Sequence, residues 1–357
     1  MKTEGEANII IKEATRDDNE GLVDLTSLTP MKGNISIRID RRPDFFRLLE
    51  MRGPFFVMAA VLDNKIIGSS SAAAVNILID GKPETVYYLG DFKVHPDYRG
   101  SMLAARIARA VHQRLGSLDA DLLFCTAAYG NSDVIPFFMG RAFCPPARKV
   151  GIFNVLQIIP TKFKTRNSKF QLEEGPFASP ALSLFNNFMK KFQLGPVYSE
   201  NSFENTTLIT ASLNNKIVSA ITLIDTSHAK QNVLIRLPFY LKIIFKSINA
   251  IKAFFPVVTL PEINEIIRIL YIKSFACEPG QEEALKLLVG RARNIAYEKK
   301  YSFLAIGIHE RDPILKIFSR YPKFTFKSMG FIASLKGKNE KINSILGGIP
   351  FEDYSLV

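Results

Sequence analysis

Residues 86–116 read VYYLGDFKVHPDYRGSMLAARIARAVHQRLG, and their reading decides the fold. Aromatic and β-branched residues dominate positions 86–94, which predicts a strand. His95, Pro96 and Asp97 end it, because proline cannot donate to a ladder and aspartate favours turns. Beyond Arg99 and Gly100, apolar side chains recur at Met102 or Leu103, Ile107, Ala110 or Val111, and Leu115, the period of a helix. The product is a strand, a tight basic turn and an exposed helix N-terminus. Free N–H groups and the positive end of the helix dipole make that turn an anion site suited to a pyrophosphate.

The stretch VHPDYRGSMLAARIARA resembles the central motif of the GCN5-related N-acetyltransferases (GNAT), in which Arg/Gln-x-x-Gly-x-Gly/Ala follows a strand ending in Val-x-Pro. Arg99, Met102 and Ala104 occupy the three signature places, so Met102 stands at the middle glycine. The resemblance implies an acetyl-CoA or other acyl-CoA co-substrate and no metal. Its pyrophosphate would lie on backbone amides of Arg99, Gly100, Ser101, Met102, Leu103 and Ala104. Its thioester carbonyl would face amides of Phe92 and Val94, where two parallel strands splay apart. Residues 131–143, NSDVIPFFMGRAF, resemble the closing signature of the same family. Asn131 stands at its cofactor-contacting amide, Phe143 at its core phenylalanine, and Phe138 where a tyrosine often protonates the leaving thiolate. Tyr129 is the nearest substitute for that acid, although an ordinary core or edge tyrosine would read the same.

Direct acyl transfer needs a neutral amine, a polarised carbonyl and a protonated leaving thiolate. Asp91 is the only acidic residue in positions 86–94 and is the candidate base. It would equally suit a charge that orients an acceptor ammonium. His95 reads as part of a structural turn, and His112 as exposed helix surface.

The chain has 357 residues, enough for two domains, and its 47% hydrophobic content excludes extensive disorder. A net charge of +12 suits nucleic acid, an anionic membrane or a phosphorylated cofactor. No zinc-finger or RNA-binding signature supports the first. Cys125, Cys144 and Cys277 are odd in number and widely spaced, which suggests reduced thiols and a cytoplasmic location. No signal-peptide pattern opens the sequence, and no stretch reads as a membrane span.

In order, residues 9–12 predict a first strand, and Thr15 to Asp18 a helix start. Residues 38–52 predict a helix beginning after Pro43, and residues 55–62 and 66–77 a hairpin. Residues 122–128 predict a buried strand. A polar, Pro- and Gly-punctuated stretch then suits a linker. Further on, Leu213-Asn214-Asn215-Lys216-Ile217-Val218 repeats Leu62-Asp63-Asn64-Lys65-Ile66-Ile67, and strand, helix and strand follow in the same order up to Met329-Gly330-Phe331. The expected architecture is α/β (α+β), with two acyl-CoA N-acyltransferase-like domains, each a mixed central sheet flanked by helices. Residues 1–160 would hold the acyl-CoA site and 161–198 a linker and helix. Residues 199–335 would be a degenerate copy and 336–357 a C-terminal tail. In the second copy, Glu278, Glu282 and Glu283 surround the corresponding turn and would repel a pyrophosphate.

Residues 234–258, LIRLPFYLKIIFKSINAIKAFFPVV, have no counterpart in the first half. Their part at 238–256 reads as a helix that either lies on an anionic membrane or covers the second sheet with its lysines reaching solvent. The expected function is transfer of acetyl from acetyl-CoA to an amine on a small molecule or peptide. Alternatives are a long-chain N-acyltransferase fed by acyl carrier protein or acyl-CoA, and a non-catalytic acyl-CoA-binding scaffold. A homodimer is compatible with all three.

Overall fold

The computed structural model describes residues 8–31, 35–131, 139–140, 144–162, 168–252 and 254–357. The first half opens with β1 (Ile10–Glu13). A Thr15–Asp18 capping box then starts a single 3₁₀ turn and helix α1 (Asn19–Leu28). The helix expected over 38–52 is instead strand β2 (Ser36–Asp40) and one short helical turn, α2 (Arg47–Glu50). Ile37 and Ile39 alternate with polar residues, a period of two, and Pro43 separates that strand from any helix.

Strands β3 (Phe55–Leu62) and β4 (Lys65–Ile79) form the expected hairpin. Asp63 and Asn64 both have positive φ, 48° and 61°, as a two-residue type I′ turn requires. Strand β5 (Lys82–Val94) lies antiparallel to β4, and helix α3 (Leu103–Ser117) crosses to β6 (Leu122–Ala128). Leu103, Ile107, Val111 and Leu115 are the buried stripe of α3, packed with Phe56, Ala60 and Ile67. Strand β7 (Arg148–Ile158) follows.

The second half repeats this order. Strand β8 (Gln171–Pro176) and helix α4 (Pro180–Met189) occupy the stretch expected as linker and helix, followed by short β9 (Phe192–Gln193) and β10 (Gly195–Pro196). Strands β11 (Thr206–Leu213) and β12 (Lys216–Ile224) make a second hairpin, whose Asn214 and Asn215 also have positive φ, 51° and 62°. Next come β13 (Gln231–Arg236), α5 (Phe239–Ile251), β14 (Ile266–Ile267), β15 (Ile269–Cys277), α6 (Glu282–Glu298) and β16 (Phe303–His309). The chain closes with α7 (Leu315–Phe318), β17 (Lys323–Ser334), α8 (Asn339–Gly347) and β18 (Ile349–Pro350).

One sheet runs through both halves in the order β1-β3-β4-β5-β6-β17-β7-β16-β15-β12-β11-β8. Read inward from either end, the pairings are three antiparallel, one parallel and one antiparallel. The halves exchange their last strands. β7, from the first half, pairs with β16, while β17, from the second, pairs with β6. Met329-Gly330-Phe331 therefore closes the first half's sheet, with Gly330 opposite both Thr126 and Gly151. A second, three-stranded sheet, β14-β13-β2, also joins the halves. Residues 336–357 do not trail as a tail: Ile342, Ile345 and Tyr354 are buried beside Phe124, Phe153 and Ile332. Among the described residues no helix is long and apolar enough to cross a membrane.

Candidate active site

The turn between β5 and α3 is built largely by its own backbone. Tyr98 N–H donates to the His95 carbonyl (3.0 Å), and Ser101 N–H to the Tyr98 carbonyl (3.4 Å). The Ser101 hydroxyl donates to the Tyr98 carbonyl (2.8 Å) and accepts from Leu103 N–H (3.2 Å). Gly100 holds φ at +81°, where a side chain would be strained. In the first turn of α3, Arg106 N–H donates to the Met102 carbonyl (3.0 Å), and no acidic residue there competes with an anion for the remaining amides. Arg99 is exposed beside them. Met102 is 65% exposed, so its side chain projects to solvent, whereas the Leu103 side chain is buried and its amide is engaged by the Ser101 hydroxyl.

Next to this turn the sheet opens. β5 and β6 pair in parallel only from Val86–Leu122 to Tyr88–Phe124 and separate beyond. Ser69 faces Lys93 and Ser71 faces Gly90, so Asp91 and Phe92 bulge opposite Ser70. Asp91 adopts φ +48° there, and a bulge of this kind bends its strand away from its neighbour. Phe92 and Val94, the amide-bearing residues of the open edge, are half-buried against the α3 core. Tyr129 lies just past the end of β6, 58% exposed, and its N–H donates to the Lys327 carbonyl. Asn131 follows on the surface, its N–H bonded to the Ala128 carbonyl. Phe138 and Phe143 lie outside the described residues.

Asp91 is held on both oxygens. Arg41 Nη1 donates to one (3.2 Å), and the Ser71 hydroxyl donates to the other (3.0 Å). Arg41 is itself buried; it also donates to the Phe45 carbonyl and lies over the Phe45 ring at 4.8 Å. Burial lowers the Arg41 pKa, with Asp91 opposing. Burial likewise lowers that of Lys93, whose Nζ donates to the Thr29 carbonyl.

A second buried polar cluster adjoins the narrow end of the gap. Arg52 lies over the Tyr88 ring at 3.5 Å, pairs with Glu352 (3.0 Å) and donates to the Leu356 carbonyl (2.7 Å). Burial alone would lower Arg52, yet Glu352, Tyr88 and Asp353 hold its guanidinium above the ordinary value. The Tyr88 and Thr126 hydroxyls bond each other at 2.9 Å. Lys273 pairs with Asp353 (3.1 Å), and Lys230 donates to the Val357 carbonyl. Burial, then Arg41 and Arg52, push Lys230 down to about 7.

Residues 25–143 match the family model described as the acetyltransferase (GNAT) family. The chain carries a GNAT domain. Among solved structures, Saccharomyces cerevisiae N-myristoyltransferase with bound myristoyl-CoA is similar to it at a TM-score of 0.61 and 11% identity, covering 92% of this chain and 83% of that one. The same enzyme with bound myristoyl-CoA and inhibitors gives 0.61 and 12%, over 92% and 80%. A GCN5-related N-acetyltransferase from Anabaena variabilis gives 0.51 and 10%, over 90% and 72%. These likenesses establish the fold. No curated protein matches the sequence.

The second half has the same order of strand pairings, but its gap is different. β15 and β16 also part after three parallel pairs, and Lys273 bulges opposite β12. Their gap is filled from within: Phe351 packs on Phe192 and Phe275, and the Tyr354 ring lies against Gly307. Glu282 and Glu283 occupy the first turn of α6, and Glu278 pairs with Lys216 (2.7 Å). Cys277 is buried, which pushes its thiol up to about 11.

The GNAT motif residues 99–104 thus meet at one turn, with Asp91, Phe92 and Val94 on the adjoining open edge. His112, expected on the exposed side of α3, is half-buried and its Nδ1 has no partner. A linear reading misses Arg41, Ser71, Arg52 and Lys230 as neighbours of the site. They come from four separate segments, strand β4 and the connections after β2, after α2 and before β13, and follow no spacing that the sequence would register.

Proposed function

We propose that this protein is an acyl-CoA-dependent N-acyltransferase that transfers acetyl from acetyl-CoA to an amine by direct attack. The observation that carries the reading is the opening between β5 and β6 directly beside the basic turn that starts α3. The turn amides and Arg99 would hold the pyrophosphate, and the gap would admit the pantetheine arm. Amides of Phe92 and Val94 would polarise the thioester carbonyl. Asp91 would orient the acceptor ammonium and take its proton, directly or through water. The amine nitrogen then bonds to the carbonyl carbon, the carbon–sulfur bond breaks, Tyr129 would protonate the departing sulfur, and the second proton shed by the nitrogen would restore the Tyr129 hydroxyl through water. No metal is assigned a role.

A short acyl group is supported by the closed end of the gap. Tyr88, Phe124, Phe153 and Tyr354 pack there with ring centroids 5.7–6.4 Å apart. The long-chain reading is favoured by a different observation: the similarity to N-myristoyltransferase with bound myristoyl-CoA extends over 92% of this chain. Thiol release measured with acetyl-, octanoyl- and myristoyl-CoA against amino acid, polyamine and N-terminal peptide amines separates the two. Turnover greatest with acetyl-CoA supports the first reading. Turnover confined to long chains replaces it with the second, and tight donor binding without turnover on any amine refutes both.

In this reading residues 1–160 carry the donor site. Residues 199–335 are a degenerate copy that lends β17 to it and completes the acceptor side. Three free cysteines suit a reducing compartment, and we place the reaction in the cytoplasm.

A further inference from the structure

Helix α5 has two apolar faces, and only one of them is used. Leu241 and Phe245 are buried, with Phe245 packed on Phe303 and Phe324. Phe239, Tyr240, Ile243, Ile244 and Ile251 are exposed, Phe239 by 78% and Ile243 by 50%. At about 100° per residue these five fall within an arc of roughly 140°, away from the buried stripe. Phe254 and Phe255 extend the same apolar surface past the helix, at 84% and 58% exposure. Asn249 fixes the loop that follows: its side chain donates to the Leu260 carbonyl (3.0 Å) and accepts from Leu260 N–H (2.7 Å).

Charge identifies what covers this surface. Residues 231–261 contain no Asp or Glu, but include Arg236, Lys242, Lys246 and Lys252. Lys242 and Lys246, four residues apart, border the exposed arc on one side, and both are exposed. A second copy of the chain laid on this face would bring these like charges together. An anionic lipid surface would pair with them while taking up the aromatic and aliphatic side chains. The helix is 13 residues long, about 20 Å, too short for a hydrocarbon core of about 30 Å.

We propose that α5 and the adjoining Phe254 and Phe255 dock the protein on an anionic lipid bilayer, with the helix lying in the interface plane. The same unit sits on β13, which pairs with β2, and β2 leads into Arg41 beside Asp91. Docking would therefore hold the proposed acceptor side close to the bilayer.

Vesicle flotation of the full chain tests this, comparing phosphatidylcholine alone with phosphatidylcholine plus phosphatidylglycerol. The wild type is expected to float with the anionic vesicles and to be released by high salt. Phe254→Ser/Phe255→Ser should weaken binding about tenfold or more. Lys242→Glu/Lys246→Glu should abolish the preference for the anionic vesicles. Every substituted side chain is exposed, so unchanged melting temperatures would show that the fold is intact. Failure of the wild type to bind either vesicle would overturn the proposal. So would binding that neither double variant alters, or a dimer by light scattering that Phe254→Ser/Phe255→Ser dissociates while vesicles stay unbound.

Discussion

Arg41 and Asp91, fifty residues apart in sequence, meet at 3.2 Å in a setting where Arg41 is almost wholly buried. The pair ties the segment after β2 to the bulge that parts β5 from β6. Ser71, across the sheet from that bulge, fixes the other carboxylate oxygen. The bulge, the gap and the proposed acceptor side thus share one anchor.

Removing the carboxylate should harm chemistry and spare donor binding. Asp91→Asn is expected to lower kcat/KM by roughly a hundredfold, within the range of a positioned base, with acetyl-CoA affinity unchanged. A fall in kcat identifies proton transfer, and a rise in acceptor KM identifies orientation. Steady-state kinetics with both substrates varied, alongside calorimetric titration of acetyl-CoA, checks this, and undiminished activity would remove Asp91 from the mechanism.

Removing the cation should cost stability instead. Arg41→Ala leaves a poorly solvated Asp91 without its partner, and losing one member of a buried pair costs about 3–5 kcal/mol. Urea unfolding measures it. A loss below about 1 kcal/mol, the level of a surface pair, would contradict the anchoring role.

The strand exchange predicts that the halves are not separable. Residues 1–160 alone would leave the outer edge of β6 without β17 and β7 without β16, so this fragment should lack a cooperative thermal transition. Gly330 makes the same point by packing: an added Cβ would lie 2.4 Å from Val150 Cγ2 and 2.9 Å from the Phe153 ring. Gly330→Ala should therefore destabilise the whole chain by about 1–3 kcal/mol. A fragment that melts as sharply as the full chain would refute the exchange.

Lys230 predicts a pH dependence. Its folded pKa is pushed down to about 7, whereas the unfolded side chain retains the ordinary value of 10.5. Between those values the unfolded chain binds a proton that the folded chain does not, so this group's contribution to stability rises with pH from about 7 to 10.5 and is lowest below 7. Lys230→Met should flatten that part of the melting-temperature profile. An unchanged profile in the variant would show that Lys230 titrates normally.

Local chemistry makes much of the fold legible. The strand, turn and helix of residues 86–116 follow from β-branching, Pro96 and the apolar period of α3. The two hairpin turns, at Asp63-Asn64 and Asn214-Asn215, are legible in the sequence itself, because Asp and Asn tolerate the left-handed backbone that both demand. What escapes is long-range. Nothing near β7 or β17 marks which half each strand will join, since exchange preserves every local pattern. The helix expected over 38–52 gives way to a strand because Ile37 and Ile39 pair with β13, nearly two hundred residues away. The polar residues around the gap, Arg41, Arg52, Lys230 and Glu352, converge only in three dimensions.

The central claim is that acyl-CoA binds with its pyrophosphate on the turn of α3 and its arm between β5 and β6. Thermal unfolding with and without acetyl-CoA, for the wild type and Arg99→Glu, tests it most directly. A ligand present at about 100 times its Kd stabilises a protein by about 2.7 kcal/mol, so the wild-type transition should rise clearly. Arg99→Glu, altered only on an exposed side chain, should melt normally alone and lose most of that rise. No shift with any acyl-CoA, or an equal shift in the variant, would contradict the account.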